Sequence, residues 1–115
     1  MSNLRNSVRL TGFLGNAPEV REFGDDKKLA RASLAINQSY TNDKGDRIED
    51  THWHTLIFWN KQASLAEKIL HKGSEVSIDG KLVNRTYTDK DGIKKYVTEI
   101  IVNEIMLITK KISEA

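Results

Sequence analysis

Cysteine is absent from this chain of 115 residues, and its absence excludes several kinds of chemistry. Without thiols there is no disulfide framework, no thiolate metal site and no cysteine nucleophile. A protein without these features fits a reducing compartment.

Long hydrophobic runs are missing as well. The N-terminus, MSNLRNSVRL, reaches charged residues at once and lacks the apolar segment of a secretion signal. No stretch elsewhere is long enough to span a bilayer. We therefore expect a soluble, non-secreted protein.

Catalytic motifs are also lacking. The sequence contains no nucleophile elbow, phosphate-binding glycine loop or cluster of carboxylates. Asp89 and Asp91 resemble only the start of a calcium loop, because Ile100 stands where a bidentate carboxylate is needed. We expect no enzyme activity and no cofactor.

The chain does carry a mild positive charge. Its net charge is +2 and its pI is about 8.9, which on charge alone favours a solvated surface of mixed charge over a nucleic-acid partner. The length allows one domain with a modest core. We expect that domain at residues 1–110, followed by a short tail at 111–115.

Alternating apolar and polar residues predict five strands. A change to helical spacing from Leu65 to Leu70 predicts one helix between the third and fourth strands, with Asn60 as its N-cap and Gly73 as its C-terminal stop. The predicted strands are residues 4–14, 28–40, 51–59 and 75–83, and a last strand after the turn DKDG at 89–92.

This order of elements is that of an OB-fold, an all-β, five-stranded Greek-key barrel that often binds oligonucleotides or sugars. The order alone leaves an SH3-like barrel or another α+β meander open.

The third predicted strand, THWHTLIFW, carries two tryptophans on one face. Trp53 and Trp59 stand roughly 20 Å apart along the strand, too far to pack as one cluster. Leu56 and Phe58, on the other parity, fill a small barrel more naturally. We expect the tryptophans outside and Leu56 and Phe58 in the core, although spacing alone also permits both tryptophans to be partly buried.

Two tyrosines strengthen the exposed assignment. Tyr40 and Tyr87 each lie beside a turn-rich loop with interleaved basic residues, among them Lys44. Together with the tryptophans they predict one exposed face and the bases of its loops, where bases stack on aromatic planes and positive charge follows the phosphates. We expect Lys44 to contact a phosphate.

His52 and His54 flank Trp53 and raise the alternative of a metal site. Zinc would need at least a third ligand, which without cysteine must come from His71 or from a carboxylate with no recognisable spacing. We therefore expect no metal.

Three stretches resemble the bacterial single-stranded DNA-binding protein family: VRLTGFLGNAPEVR, THWHTLIFWNKQASLAEKILHKGSEVSIDGKL and NRTYTDKDGIKKYVTEIIVNE. The resemblance covers residues 4–109 in order. It implies an OB-fold in a homotetramer that wraps single-stranded DNA without strong sequence preference. It also implies a cytoplasmic role at the bacterial nucleoid in DNA replication, recombination and repair.

The resemblance assigns roles to individual residues. His54 is similar to a residue at the family's subunit interface, and we expect Val8 and Leu10 of the first strand there too. The implied base-stacking residues are Tyr40, Trp53, Trp59 and Tyr87. The implied phosphate contacts are Arg31, Lys61, Lys72 and Arg85.

The sequence departs from the family at several positions. Tyr40 and Tyr87 stand where many members have tryptophan, and Trp59 where many have phenylalanine, so the strength of each platform should differ. Thr55 replaces a residue that is often basic, which removes one phosphate contact. The family's Gly/Pro/Gln-rich linker and acidic tip, which recruit replication and repair proteins, are not in the sequence, as in a short member or a truncated chain. We therefore expect little recruitment of those proteins.

Two rival functions remain open. One is an OB-fold protein-interaction module of the primosomal accessory type, which binds a protein partner through its aromatic face. The other is an OB-fold enzyme or metal-dependent hydrolase, which only the His-x-His pattern favours.

Overall fold

A computed structural model describes residues 5–108 of the chain. The start of the predicted first strand at Leu4, the predicted domain boundary at residue 110 and the predicted tail lie outside these residues. The elements in chain order are β1 (Val8–Leu14), β2 (Glu19–Phe23), β3 (Lys27–Thr41), β4 (Arg47–Trp59), α1 (Lys61–Ile69), β5 (Glu75–Thr88) and β6 (Lys94–Leu107).

Five of these strands close into a barrel. Strand β1 pairs with β5, β5 with β6, β6 with β4, β4 with β3, and β3 with the end of β1. The β4–β6 pairing is parallel and the others are antiparallel. The helix lies between the third and fourth barrel strands in chain order. The predicted OB-fold is confirmed.

Strand β2 was not predicted. It pairs with the first half of β3, from Glu19 opposite Arg31 to Phe23 opposite Lys27. Of its five residues only Val20 is shielded to an intermediate degree. A strand that buries so little has no clean alternation, and Pro18 lies directly before it, where proline usually interrupts a strand pattern.

Two long hairpins extend the barrel strands. In the first, pairing continues from Leu29 opposite Trp59 to Thr41 opposite Arg47, so half of the predicted loop at 41–50 is strand. The predicted turn of the second hairpin is confirmed, since the Gly92 N–H donates to the carbonyl of Asp89.

The barrel interior is filled by one parity of each strand. Leu56 and Phe58 are fully buried, as predicted, together with Leu34 of β3. On the helix, Ala63 and Ala66 face this core, so α1 packs against the barrel through small side chains.

Two glycines permit close strand approaches. A Cβ atom at Gly12 would lie 2.3 Å from the carbonyl oxygen of Ala35, and one at Gly80 would lie 2.2 Å from that of Ile101. Gly80 also sits at an irregularity in the β5–β6 register. Any side chain at these two positions would force neighbouring strands apart.

One of the two predicted helix caps is confirmed. Asn60 is the N-cap of α1, with φ of 46°, although its side chain makes no capping hydrogen bond to the helix. Its Oδ1 instead accepts the Lys28 N–H at 2.9 Å, which ties the helix start to β3. Gly73 has φ of 88°, but the helix ends at Ile69, and Gly73 belongs to the turn that follows. Its N–H donates to the carbonyl of Leu14 at 2.8 Å.

Candidate nucleic-acid interface

The outward side chains of four neighbouring strands share one surface. In register, Thr55 of β4 lies between Ser33 of β3 and Glu99 of β6, and Glu99 in turn lies opposite Val83 of β5. Because paired residues point to the same side of a sheet, this row fixes which other residues face outward. We call this surface the outer face; the residues on it that concern us are Arg31, Trp53, Thr55, Trp59, Arg85, Tyr87 and Glu99.

Both tryptophans of the outer face are accessible, as the parity argument predicted. Trp53 is 60% exposed and Trp59 is 43% exposed. Ile57 has the same parity but is only 4% exposed, and it is flanked in register by Arg31 and Ile101. The outer face therefore has two accessible aromatic planes separated by a covered aliphatic segment.

Trp53 rests on the backbone of Gly15, which follows β1. A Cβ atom at Gly15 would lie 2.6 Å from Cζ3 and 3.0 Å from Cη2 of the indole. Gly15 is itself anchored, because its N–H donates to the carbonyl of Ser33 at 2.9 Å. One side of the indole is thus supported and the other is accessible. Sequence reasoning did not identify this support, since a contact between residues 38 positions apart leaves no local pattern.

Tyr87 shares the outer face with Arg85, two residues earlier on β5. Tyr87 is 48% exposed, and the guanidinium carbon of Arg85 lies 5.8 Å from the centre of its ring. This separation is within the range of a cation–π interaction. An aromatic plane and a cation therefore stand side by side, as a stacked base and its phosphate require.

Glu99 lies beneath the arginines of the outer face. It is 5% exposed and is the one buried charged residue among those described. Its carboxylate accepts hydrogen bonds from Arg85 at 3.1 and 3.3 Å and lies 3.5 Å from Nη2 of Arg31. The hydrogen bond and the negative charge of Glu99 raise the pKa of Arg85 above its ordinary value. Sequence reasoning did not identify Glu99, although an acidic residue directly before the apolar run IIV was a usable signal.

Tyr40 does not lie on the outer face. It is 53% exposed and pairs with Ile48 near the end of the first hairpin. Since Ala35 pairs with Trp53 and side chains alternate along a strand, Tyr40 faces the other side of the β3–β4 ribbon. Tyr40 thus lies at the base of the first hairpin's loop and away from the outer face, and base stacking on it stays a prediction.

The predicted phosphate contacts fall into two groups. Arg31 and Arg85 meet at Glu99, whereas the three lysines lie on separate elements. Lys44 lies in the turn of the first hairpin, Lys61 is the first residue of α1, and Lys72 lies in the turn before β5; all three are exposed.

The predicted interface residues contribute to the packing of the barrel itself. His54 is half-buried opposite Leu34, and Val8 and Leu10 are half-buried against the core. Their role between subunits stays a prediction. Across residues 5–108, no group of three or more His, Cys, Asp or Glu side chains could hold a metal ion. Within the same range, no helix is long and apolar enough to cross a membrane.

The residues that the structure describes are similar in sequence to those of known proteins. The profile of the single-strand binding protein family matches residues 5–108. The "Single-stranded DNA-binding protein 1" of Chlorobaculum tepidum is 37% identical over 107 residues, which cover 92% of this chain and 66% of that protein. The protein of the same name from Xylella fastidiosa is 35% identical, with 92% and 79% covered. The chain thus spans about two thirds of the length of the first relative and more of the second.

Solved structures with the same fold include two single-stranded DNA-binding proteins. The Plasmodium falciparum protein in complex with single-stranded DNA superimposes with a TM-score of 0.84 at 27% identity, covering 90% of this chain and 95% of that one. A deletion mutant of the Thermus aquaticus protein gives a TM-score of 0.78 at 26% identity, covering 90% and 50%.

Proposed function

This chain belongs to the single-strand binding protein family, and from that membership we propose that it binds single-stranded DNA without strong sequence preference. The observation that carries the proposal is the outer face. There Trp53, Trp59 and Tyr87 are exposed on the same side of the sheet as Arg31 and Arg85. Aromatic planes beside cations are the combination that a flexible single strand needs, because every base has a π-face and every linkage a negative charge.

The strand contacts these residues in two ways. Bases stack on Trp53, Trp59 and Tyr87, and each stacked base contributes about 1–3 kcal/mol as measured by alanine substitution. Phosphates follow Arg31 and Arg85, with further contacts at Lys44, Lys61 and Lys72. Tyr40 is a fourth stacking residue, which a strand reaches only after it passes round the edge of the β3–β4 ribbon.

We propose that the protein is non-enzymatic and protects single-stranded DNA during replication, recombination and repair in the bacterial cytoplasm. It does so as a homotetramer, with His54, Val8 and Leu10 at subunit contacts. Light scattering tests the assembly: a mass of four chains supports it, whereas a dimer would favour the rival protein-interaction module.

Binding is tested with fluorescently labelled dT oligomers of increasing length. The anisotropy of the labelled oligomer should rise when protein is added at low salt, and it should fall back to the value of free DNA as salt is added. Each phosphate neutralised on a single strand contributes about −0.7 to the slope of log K against log salt. A duplex of the same length serves as the control and should compete poorly. If no dT oligomer binds at low salt, the proposed function is wrong.

A further inference from the structure

At the centre of the outer face, two arginines, Arg31 and Arg85, share one carboxylate, that of Glu99. The side chain of Glu99 is 7% exposed, whereas those of Arg31 and Arg85 are 53% and 48% exposed. The carboxylate therefore lies below, and the two guanidinium groups lie above it against solvent. Together they carry one net positive charge.

Both oxygens of Glu99 are engaged by this pair. Oε1 accepts the Arg85 Nε–H at 3.3 Å, and Oε2 accepts the Arg85 Nη2–H at 3.1 Å. Oε2 also lies 3.5 Å from Nη2 of Arg31. A guanidinium binds a phosphate through the same two-point arrangement. Glu99 thus uses the hydrogen-bonding edge that Arg85 would present to a phosphate.

No other charge contributes to this row of the sheet. The residues paired with Glu99 on its two sides are Thr55 and Val83, and both are neutral. Glu19 of β2 lies opposite Arg31 in register, but the ion pairs that Arg31 and Arg85 make within the described part of the chain are with Glu99. The charge in direct contact is therefore the sum over Arg31, Arg85 and Glu99.

We propose that Glu99 is an internal competitor for phosphate, which limits Arg31 and Arg85 to the electrostatic contribution of about one phosphate contact instead of two. The inference rests on the proposed binding of single-stranded DNA and concerns how that binding is tuned. Its consequence is a weaker dependence of affinity on salt than two free arginines would give, and easier release of the strand from the centre of the face.

The test is a salt titration of dT binding by the Glu99→Gln variant. Glutamine keeps the shape of the side chain and removes its charge, so both arginines become available to phosphate. The slope of log K against log salt should steepen by about 0.7, which means that affinity falls about five-fold more than in the wild type over a ten-fold rise in salt. At low salt the variant should bind more tightly than the wild type.

A matched control is Glu104→Gln. Glu104 is an exposed carboxylate on the same strand, and its substitution makes the same change in net charge. It lies five positions from Glu99, roughly 16 Å along the strand. That separation exceeds the Debye length of about 10 Å at 0.1 M salt. Its salt slope should equal that of the wild type.

A second variant tests the inference independently. Glu99→Gln combined with Arg85→Gln removes one charge of each sign, so the slope should return to that of the wild type. If Glu99 had no electrostatic role, the double variant would lose one phosphate contact and its slope would become shallower by about 0.7. Thermal melting checks folding, which should survive because the charges left after Glu99→Gln belong to half-exposed arginines.

The outcomes separate the inference from the function it rests on. Normal wild-type binding with an unchanged or shallower slope for Glu99→Gln overturns the inference alone. Failure of the wild type to bind dT overturns the proposed function, and the inference with it.

Discussion

The two long hairpins are built alike, but they display their tyrosines on different sides. Each has a threonine that donates to an asparagine across the ribbon at 2.8 Å: Thr51 to Asn37 in the β3–β4 hairpin, and Thr98 to Asn84 in the β5–β6 hairpin. The β5–β6 hairpin presents Tyr87 on the outer face, whereas the β3–β4 hairpin turns Tyr40 to the opposite side. The same local chemistry near a turn thus leads to two geometries, and pairing register decides between them.

The supports of the aromatic planes also differ between the hairpins. Trp53 of the first hairpin rests on the backbone of Gly15, whereas Tyr87 of the second stands beside a half-exposed guanidinium. A backbone support leaves no room for a side chain, while a cation at 5.8 Å can adjust. The first platform should therefore be more sensitive to small changes in volume.

The largest expected effect is on dT affinity, and its dependence on oligomer length should differ between Tyr87→Ala and Tyr40→Ala. Tyr87→Ala should weaken binding of short and long dT oligomers alike, by about 1–3 kcal/mol, because Tyr87 shares the outer face with the tryptophans. Tyr40→Ala should weaken binding only of oligomers long enough to pass round the ribbon edge. Anisotropy titrations over a length series measure both. Equal losses at every length would show that the two tyrosines act on one face.

Gly15→Ala should have the next largest effect. The added methyl group would overlap the indole of Trp53, so the ring must move or the chain must shift, and such overpacking typically costs about 1–3 kcal/mol of stability. Chemical denaturation measures this loss, and dT titration measures the accompanying loss of affinity.

The matched control for this substitution is a double-mutant cycle with Trp53→Ala. Once the indole is absent, Gly15→Ala should cost little, because the three atoms that would lie nearest to the methyl group all belong to Trp53. A cost that persists in the Trp53→Ala background would assign Gly15 a role unrelated to the tryptophan.

The smallest expected effect probes the feature that the hairpins share. Thr51→Val and Thr98→Val each remove one exposed cross-strand hydrogen bond, for a loss of about 0.5 kcal/mol at the low end of the usual range. Thermal melting should show similar small decreases in Tm for the two variants. A much larger decrease for one of them would show that the hairpins differ in stability as well as in the side on which their tyrosines lie.

The features that could be predicted from the sequence are those that depend on the spacing of apolar residues within one segment. Alternation separated the two faces of β4, and the limited interior of a small barrel together with the neighbouring tyrosines favoured Leu56 and Phe58 in the core and Trp53 and Trp59 outside, as observed. The change of period located α1. The number and order of barrel strands then led to the OB-fold.

The remaining features depend on contacts between distant parts of the chain. The side of the ribbon on which Tyr40 lies, relative to the tryptophans, follows from the register between β3 and β4. Because residues 41–50 are predicted as a loop, the sequence provides no register with which to compare the two strands. Glu99 becomes significant only when β3 and β5 bring Arg31 and Arg85 to it. The support that Gly15 gives to Trp53 likewise requires the closed barrel.

The most direct test of the account follows the fluorescence of a single tryptophan. The chain has two tryptophans, so Trp59→Phe leaves Trp53 as the sole indole while retaining an aromatic plane at position 59. Short dT oligomers should quench Trp53 at low salt, and added salt should restore its emission, since the proposed binding mode stacks a base on the accessible side of the indole. Emission that dT leaves unchanged, in a variant that still binds labelled dT, would contradict the outer face as the site of stacking.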